Sequence, residues 1–203
     1  MEETFKGVLM MGAEYELKFR SDKECQRSVF TTFPARWQTI HMETTYYDTL
    51  SGDLSCRKFM LRCRDENGKR VCTLKTPGEN NLRGEWEVEC DSITAAVPEL
   101  CKLGAPAELA DLCKNGLVPI CGARFTRKAG IFTLRECTLE LALDEGILFG
   151  SGKELPLCEI EVEHKDGSLE ATDAFARQLA DIYSLQAEPQ SKFARALALT
   201  KED

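Results

Sequence analysis

A strict alternation of charged and apolar residues runs through the heptad at residues 14–20. Because successive side chains of a strand point to opposite faces of the sheet, this alternation predicts one β-strand. Its polar face combines two acids with two bases, namely Glu14, Glu16, Lys18 and Arg20. Taken alone, the heptad is explained as a surface strand with self-compensating charges. The recurrence of the pattern along the chain indicates more than that.

The same two-residue period recurs between turns and between segments with a helical period. Asn67-Gly68 predicts a tight hairpin between two of these strands. Ser21 and Glu24 predict a capping box at the start of the first helix. Strands are predicted at residues 14–20, 38–48, 58–65, 70–76, 82–90, 118–127, 130–137, 137–144 and 157–164. Helices are predicted at residues 21–33, 92–115, 168–185 and 191–200.

Most of the predicted strands are joined by tight turns, which favours antiparallel pairing. Helical segments separate the groups of strands, so the predicted fold class is α+β, with about eight strands. We assign residues 12–203 to a single domain and residues 1–11 to a flexible lead-in.

Composition limits the classes of partner. The chain has 203 residues, of which 43% are hydrophobic and 30% are charged, a balance typical of a globular protein with a real core. The net charge of −8 argues against non-specific binding to nucleic acid or to an anionic membrane. No apolar stretch approaches the roughly 20 residues that a membrane-spanning helix needs.

Ten cysteines are scattered singly, often at apolar strand positions such as Cys63, Cys72 and Cys90. The start of the chain lacks the long apolar run of a secretory leader. We therefore expect reduced, mostly buried thiols in a cytoplasmic protein. A structural zinc site is the alternative, although the cysteines and two histidines show no ligand spacing.

The charged residues that share strand faces form an acidic and a basic set. The acids are Glu14, Glu16, Glu85, Glu87, Glu140, Asp144, Glu159, Glu161 and Glu163. The bases are Lys18, Arg20, Arg62, Arg64, Lys75, Arg83, Arg124, Arg127, Lys128, Lys192 and Arg195. If the sheet closes on itself, these charges line its lumen. If it stays open, they meet water, where ion pairs contribute little; the residues alone leave these alternatives balanced.

An interior with charges of both signs requires pairing or a ligand, because isolated buried ions are costly. Clustered carboxylates with few His or Cys suit a hard cation such as Mg²⁺ or Mn²⁺. Clustered Arg and Lys suit phosphate oxygens. A site with both indicates a complex of a polyphosphate with a divalent metal.

The motif Glu14-x-Glu16-x-Lys18 and the motifs that follow it resemble the CYTH superfamily, the triphosphate tunnel metalloenzymes. The likeness covers nearly the whole chain from residue 12 onward, and it implies a closed eight-stranded antiparallel β-barrel, or tunnel, with helices packed outside. The further motifs are Tyr46-Tyr47-Asp48-Thr49, Leu61-Arg62-x-Arg64, Leu74-Lys75, Arg83-x-Glu85-x-Glu87, Leu143-Asp144, Glu159-x-Glu161-x-Glu163 and Ser191-Lys192-x-x-Arg195.

The resemblance also implies roles for matching residues. Glu14, Glu16 and Lys18 are implied catalytic residues. The implied ligands of Mg²⁺ or Mn²⁺ are Glu14, Glu16, Asp144, Glu159 and Glu161. The implied triphosphate clamp consists of Lys18, Arg62, Arg64, Lys75, Lys192 and one or more of Arg124, Arg127 and Lys128. Glu85 and Glu87 are expected to orient the clamp or to bind a second metal.

Family members hydrolyse inorganic, thiamine or nucleoside triphosphates, or cyclise ATP. Animal thiamine triphosphatases carry a Trp just before Leu-Arg-x-Arg, where this chain has Met60. The leading hypothesis is therefore an inorganic triphosphatase that releases pyrophosphate and phosphate. The alternatives are a thiamine or nucleoside triphosphatase, a class IV-type adenylyl cyclase, and a non-catalytic polyphosphate- or nucleotide-binding module. The expected partner is a small-molecule triphosphate, with a homodimer as the oligomer considered.

Overall fold

The computed structural model describes residues 10–77 and 82–201, and describes side chains for 15–77 and 84–201. No helix in these ranges is long and apolar enough to cross a membrane. The strands are β1 Met10–Arg20, β2 Gln38–Asp48, β3 Met60–Glu66, β4 Lys69–Thr76, β5 Leu82–Glu89, β6 Val118–Thr133, β7 Cys137–Gly150, β8 Lys153–Gly167 and β9 Gln186–Ala187. The helices are α1 Lys23–Thr32, α2 Asp53–Cys56, α3 Ile93–Lys102, α4 Glu108–Cys113, α5 Leu169–Tyr183 and α6 Lys192–Ala198.

All the strands belong to one antiparallel sheet, in the order β5-β4-β3-β2-β6-β7-β8-β1-β9, with an additional pairing between β5 and β1. The first half of β1 pairs with β5 and its second half pairs with β8. The predicted strand count of eight is wrong, because the short β9 pairs with the end of β1 and makes nine. The sheet is also not the uniform closed barrel that was expected, since its strand order has two ends and β1 divides its length between two neighbours.

Two apolar clusters lie where helices cover the sheet. In the first, Leu61 of β3 and Leu74 of β4 pack with Leu100 of α3. In the second, Leu141 of β7 packs with Val29 of α1 and with residues of α5. Each of these five side chains is at most 1% exposed, and burial of a side chain of this size contributes about 1.5–3 kcal/mol. The helices thereby cover the apolar face of the strands, and the charged side chains lie on the other face.

A third cluster joins α6 to the charged side of the sheet. The ring of Phe193 on α6 lies 5.0 Å from the ring of Tyr46 on β2, measured between centroids. Ala196 of α6 is fully buried and packs with Phe125 of β6 and Leu148 of β7. This packing holds the N-terminal turn of α6, which carries Lys192, over the charged face.

Several local predictions need correction. α1 is capped by Asp22 rather than Ser21, because Oδ1 of Asp22 accepts a hydrogen bond from the backbone N–H of Cys25 at 2.8 Å. β6 is one continuous strand over the span where two were predicted, since it pairs with β7 from Gly122 to Thr133. β1 begins at Met10, inside the predicted lead-in, and residues 1–9 lie outside the described part.

The segment between β2 and β3 contains the short helix α2. Asp48 is only 3% exposed, and its carboxylate accepts hydrogen bonds from the backbone N–H groups of Thr49, Leu54 and Ser55 at 2.7–3.1 Å. These bonds satisfy the free N–H groups at the start of the helix. The buried Asp48 is therefore a structural cap.

Candidate active site

A cavity of about 640 Å³ lies on the charged side of the sheet. All eight long strands contribute side chains to its lining, and so does α6. The charged faces of the strands therefore converge on one space and are not spread over an open surface. The charged lining residues are Glu16, Lys18, Lys58, Arg62, Arg64, Glu66, Lys75, Glu85, Glu87, Arg127, Glu140, Glu161, Glu163, Lys165 and Lys192.

Three carboxylates form a buried group, of which Glu161 lines this cavity and Asp144 and Glu159 lie behind it, fully buried. Asp144 of β7 lies opposite Glu159 of β8. Glu161 is two residues further along β8 and therefore points to the same face. One oxygen of each lies within 4.8 Å of one oxygen of each of the others, and the three residues are 0–5% exposed. We call Asp144, Glu159 and Glu161 the carboxylate triad. Clustered oxygen donors of this kind fit a hard divalent cation.

Lys192 points into the carboxylate triad from α6. Its Nζ lies 2.8 Å from Oδ2 of Asp144 and 2.6 Å from Oε1 of Glu161, and it also contacts Oε1 of Glu159. Burial alone would lower the pKa of Lys192, but the three carboxylates outweigh it and raise the pKa. The ammonium group is therefore charged at neutral pH and neutralises part of the triad.

Arg127 of β6 provides a second cation. Its Nε and NH2 groups donate to Oδ1 and Oδ2 of Asp144 at 2.8 and 2.7 Å, the bidentate geometry that gives the strongest Arg–carboxylate pairs. NH2 also contacts Oε2 of Glu161. Although burial opposes it, the charges of Asp144 and Glu161 raise the pKa of Arg127.

The two glutamates of the triad respond differently to these neighbours. Burial and the charge of Glu161 raise the pKa of Glu159, even though Lys192 and Arg195 contact it. Burial also disfavours the charge of Glu161, but Lys192 and Arg127 hold its pKa well below the usual value. A pair of acids whose pKa values are driven apart is a recurring feature of functional sites.

A second charged cluster lies across the cavity on β3, β4 and β5. NH2 of Arg62 lies 3.5 Å from Oε1 of Glu87 and 3.9 Å from Oε1 of Glu85. Nζ of Lys75 lies 3.2 Å from Oε1 of Glu85, and Thr73 donates to Glu87 at 2.8 Å. The bases in this cluster are thus paired with acids at the wall of the cavity.

Arg64 and Lys18 are two further bases of the lining. Nε of Arg64 donates to Oε1 of Glu66 at 2.6 Å, and burial together with the charge of Arg62 lowers the pKa of Arg64. Nζ of Lys18 lies 3.0 Å from Oε1 of Glu16. Closely spaced cations of this kind repel each other, and an anion in the cavity would relieve that repulsion.

The structure distinguishes among the three bases of β6 that the sequence left open. Arg127 faces the cavity, together with Phe125. The side chain of Arg124 is 61% exposed, and its Nε lies 3.8 Å from Oε1 of Glu43 on the outer side. Lys128 is also exposed and lies over the ring of Phe30. Arg124 is therefore not a lining residue: on an alternating strand, positions three apart face opposite ways.

Two of the predicted metal ligands belong to β1 and not to β7 or β8. Glu16 lines the cavity beside Lys18, but among the described residues it is not within the group of closely spaced carboxylates. Glu14 belongs to β1, where it is paired with Arg83, and its side chain lies outside the described part. The roles of both residues remain predictions.

Sequence reasoning missed part of the network behind the triad. Arg195, one turn after Lys192 on α6, contacts Glu159, and its NH1 lies 3.7 Å from Oε2 of Glu188. Glu188 is 3% exposed and also accepts from Nε of Arg20 at 2.7 Å. The i,i+3 spacing of Lys192 and Arg195 could have indicated the first contact. Glu188 lies in an irregular segment with no periodicity that would reveal it.

Known proteins resemble this chain in sequence and in fold. The CYTH domain matches residues 12–197. An inorganic triphosphatase from Haemophilus influenzae is 29% identical over 151 residues, which are 72% of this chain and 43% of that protein. The chain thus spans less than half the length of this relative.

Solved structures show the same fold at low sequence identity. An adenylyl cyclase candidate from Hippeastrum, described as having a dominant triphosphatase activity, superposes with a TM-score of 0.64 and 19% identity, over 93% of this chain and 97% of that one. A protein from Pyrococcus horikoshii OT3 superposes with a TM-score of 0.61 and 22% identity, over 91% and 98%. The domain match extends over almost the entire chain, and the chain belongs to the CYTH domain family.

Proposed function

We propose that this protein is a metal-dependent hydrolase of triphosphates that acts on inorganic triphosphate to give pyrophosphate and phosphate. The observation that carries the proposal is one cavity that a buried carboxylate triad reaches through Glu161 and that a separate cluster of Arg and Lys side chains lines. The name of the Haemophilus influenzae relative and the activity described for the Hippeastrum protein support it.

The carboxylate triad would hold the divalent cation, Mg²⁺ or Mn²⁺. When bound, such a cation would act as a Lewis acid that withdraws charge from phosphate oxygens. Asp144, Glu159 and Glu161 provide hard oxygen donors at short mutual distances, which is the chemistry this role requires. Glu14 and Glu16 are proposed as further ligands from the adjacent strand.

The basic residues would bind the phosphate chain. Arg62, Arg64 and Lys75 can each donate to phosphate oxygens from β3 and β4, and charge-assisted bonds of this kind are the stronger ones. Lys18, Arg127 and Lys192 lie nearer the triad and would stabilise charge that develops during cleavage. A carboxylate that is not engaged as a ligand can orient the attacking water.

One lining residue, Met60, weighs against thiamine triphosphate as the substrate. Met60 lines the cavity at the position where animal thiamine triphosphatases carry Trp, so the residue that stacks on thiamine in those enzymes is replaced by a flexible aliphatic side chain. We therefore rank inorganic triphosphate above thiamine triphosphate and nucleoside triphosphates.

The ranking is tested by phosphate release from tripolyphosphate, thiamine triphosphate and ATP, each with Mg²⁺ and with Mn²⁺. The proposal expects the highest kcat/KM for tripolyphosphate. Arg127→Ala and Arg124→Ala form a matched pair from one strand, and only the inward-facing variant should lose activity. Formation of cyclic AMP from ATP at a comparable rate, or tight triphosphate binding with no hydrolysis under any condition, would contradict the proposal.

A further inference from the structure

The hairpin of β3 and β4 places two cysteines directly opposite each other. Cys63 and Cys72 are partners in the register of the two strands. They lie on the helix-covered face, where Cys72 is fully buried and Cys63 is partly buried against the cluster that contains Leu61 and Leu74. Arg62 and Thr73, their neighbours in sequence, belong to the opposite face. The pair is thus separate from the proposed triphosphate site.

The turn of this hairpin determines whether the two cysteines form a hydrogen-bonded or a non-hydrogen-bonded pair of the antiparallel ladder. Asn67 and Gly68 have φ angles of 55° and 90°, which is typical of a two-residue turn closed by a hydrogen-bonded pair, here Glu66 and Lys69. Hydrogen-bonded and non-hydrogen-bonded pairs alternate along an antiparallel ladder. Three steps from Glu66, the partners Cys63 and Cys72 form a non-hydrogen-bonded pair.

That geometry suits a disulfide. The Cα atoms of a non-hydrogen-bonded pair are about 4.5 Å apart, with the side chains close together. Disulfides join residues whose Cα atoms are about 4.4–6.8 Å apart. The two sulfur atoms can therefore be joined without a large shift of either strand.

The two thiols are chemically unequal. The neighbouring thiol of Cys72 lowers the pKa of the Cys63 thiol to about 7 despite the opposing effect of burial, and the charge of Arg70 adds to the lowering. Cys63 is also the more exposed of the two. A thiol with a pKa near ambient pH is well suited to attack a disulfide. Cys63 is thus the attacking thiol and Cys72 the resolving one.

We propose that Cys63 and Cys72 form a thiol–disulfide exchange site that reacts with low-molecular-weight disulfides such as glutathione disulfide. The Cys63 thiolate attacks one sulfur of glutathione disulfide, whose S–S bond breaks and releases one glutathione thiolate. Cys72 then gives up its proton and attacks the Cys63 sulfur of the mixed disulfide, which releases the second glutathione. Two protein thiols are oxidised to one disulfide, and one glutathione disulfide is reduced to two thiols.

The test is to incubate the full-length wild-type protein with glutathione disulfide at neutral pH, alkylate the remaining thiols and map the peptides by mass spectrometry. The expected product is a peptide pair linked through Cys63 and Cys72. Cys72→Ser should accumulate glutathione on Cys63, because the resolving thiol is missing.

Cys56→Ser is the matched control, since Cys56 is the exposed cysteine among those described. This variant should form the Cys63–Cys72 link as the wild type does, because exposure alone does not select the site. The proposal is overturned if glutathione modifies Cys56 while Cys63 and Cys72 stay reduced, or if Cys63 is linked to a different cysteine. The wild-type map decides the matter even if Cys72→Ser does not fold.

Discussion

Nζ of Lys192 lies 2.8 Å from Oδ2 of Asp144 and touches the other two members of the carboxylate triad. The same three carboxylates are the ones proposed to ligate a divalent cation. A lysine ammonium and a metal ion cannot share one position among three carboxylates, so Lys192 would compete with the cation as an internal counter-ion.

This competition gives a prediction for Lys192→Met. Removal of one partner from a buried ion pair costs about 3–5 kcal/mol, and we expect the lower end, because Arg127 and Arg195 still contact the triad. Denaturant unfolding in EDTA should show a free energy of unfolding lower by about 3 kcal/mol. Mn²⁺ should restore much of the loss by neutralising the same carboxylates.

Calorimetric titration provides a second readout on the same variant. Lys192→Met should bind Mn²⁺ more tightly than the wild type, since no ammonium group has to be displaced. Lys23→Met is the control, because Lys23 pairs with Glu145 at an exposed position and should leave the affinity for Mn²⁺ unchanged. Weaker Mn²⁺ binding by folded Lys192→Met would show that Lys192 does not compete with the ion.

Arg62 is predicted to contribute mainly to turnover. Its side chain is 11% exposed beside Glu85 and Glu87, and it faces the cavity at the centre of the second cluster. Loss of one preorganised donor to a developing charge typically lowers kcat by about 100-fold to 1,000-fold. Arg62→Ala should show a loss of this order with tripolyphosphate, while Arg124→Ala keeps the wild-type kcat. Equal activity of the two variants would remove Arg62 from the clamp.

The sequence predicts a site residue where the alternation of a strand alone determines the face on which its side chain lies. It does not predict a residue whose position depends on contacts between distant segments. Alternation alone placed Glu159 and Glu161 on one face, because residues two apart in a strand point to the same side of the sheet. Phase was ambiguous in β6, where the inward face combines Phe125 with Arg127 while exposed Arg124 and Lys128 face outward. Because both faces of β6 carry bases and the cavity face also carries an aromatic residue, only packing could decide between them.

Contacts between distant segments lay beyond the reach of sequence periodicity. Lys192 contacts the carboxylate triad because Phe193 and Ala196 anchor α6 against β2, β6 and β7. That packing depends on apolar side chains from four elements. Similarly, β9 consists of two residues, which is too short for any alternation to show. The fold class and antiparallel pairing followed from local turns, whereas the ninth strand and the division of β1 required tertiary structure.

Glu87 gives a prediction for pH. Burial disfavours its charge, but Arg62, the hydrogen bond from Thr73 and Arg64 hold its pKa below the usual value. An acid with a depressed pKa in the folded state contributes stability above its unfolded pKa of about 4.3, and that contribution is lost as the pH falls through the folded value. Glu87→Gln should therefore flatten the fall in unfolding free energy below about pH 4.3. An unchanged slope would contradict the cause assigned to the shift.

The apolar face should control stability independently of the charged face. Leu74 is fully buried, whereas Leu50 is 90% exposed. Truncation of a buried Leu to Ala costs about 2–5 kcal/mol, so Leu74→Ala should lower the free energy of unfolding by about 3 kcal/mol. Leu50→Ala should change it little. Thermal and denaturant unfolding check both variants, and equal stability would contradict the position of the core.

The most direct test of the account is the rate of phosphate release from tripolyphosphate by the wild type and by Glu161→Gln, in Mn²⁺ and in EDTA. Glu161 belongs to the buried triad and contacts both Lys192 and Arg127. The account predicts hydrolysis by the wild type in Mn²⁺, none in EDTA, and a loss of at least about 100-fold in folded Glu161→Gln. Hydrolysis that persists in EDTA, or that is unchanged in Glu161→Gln, would contradict it.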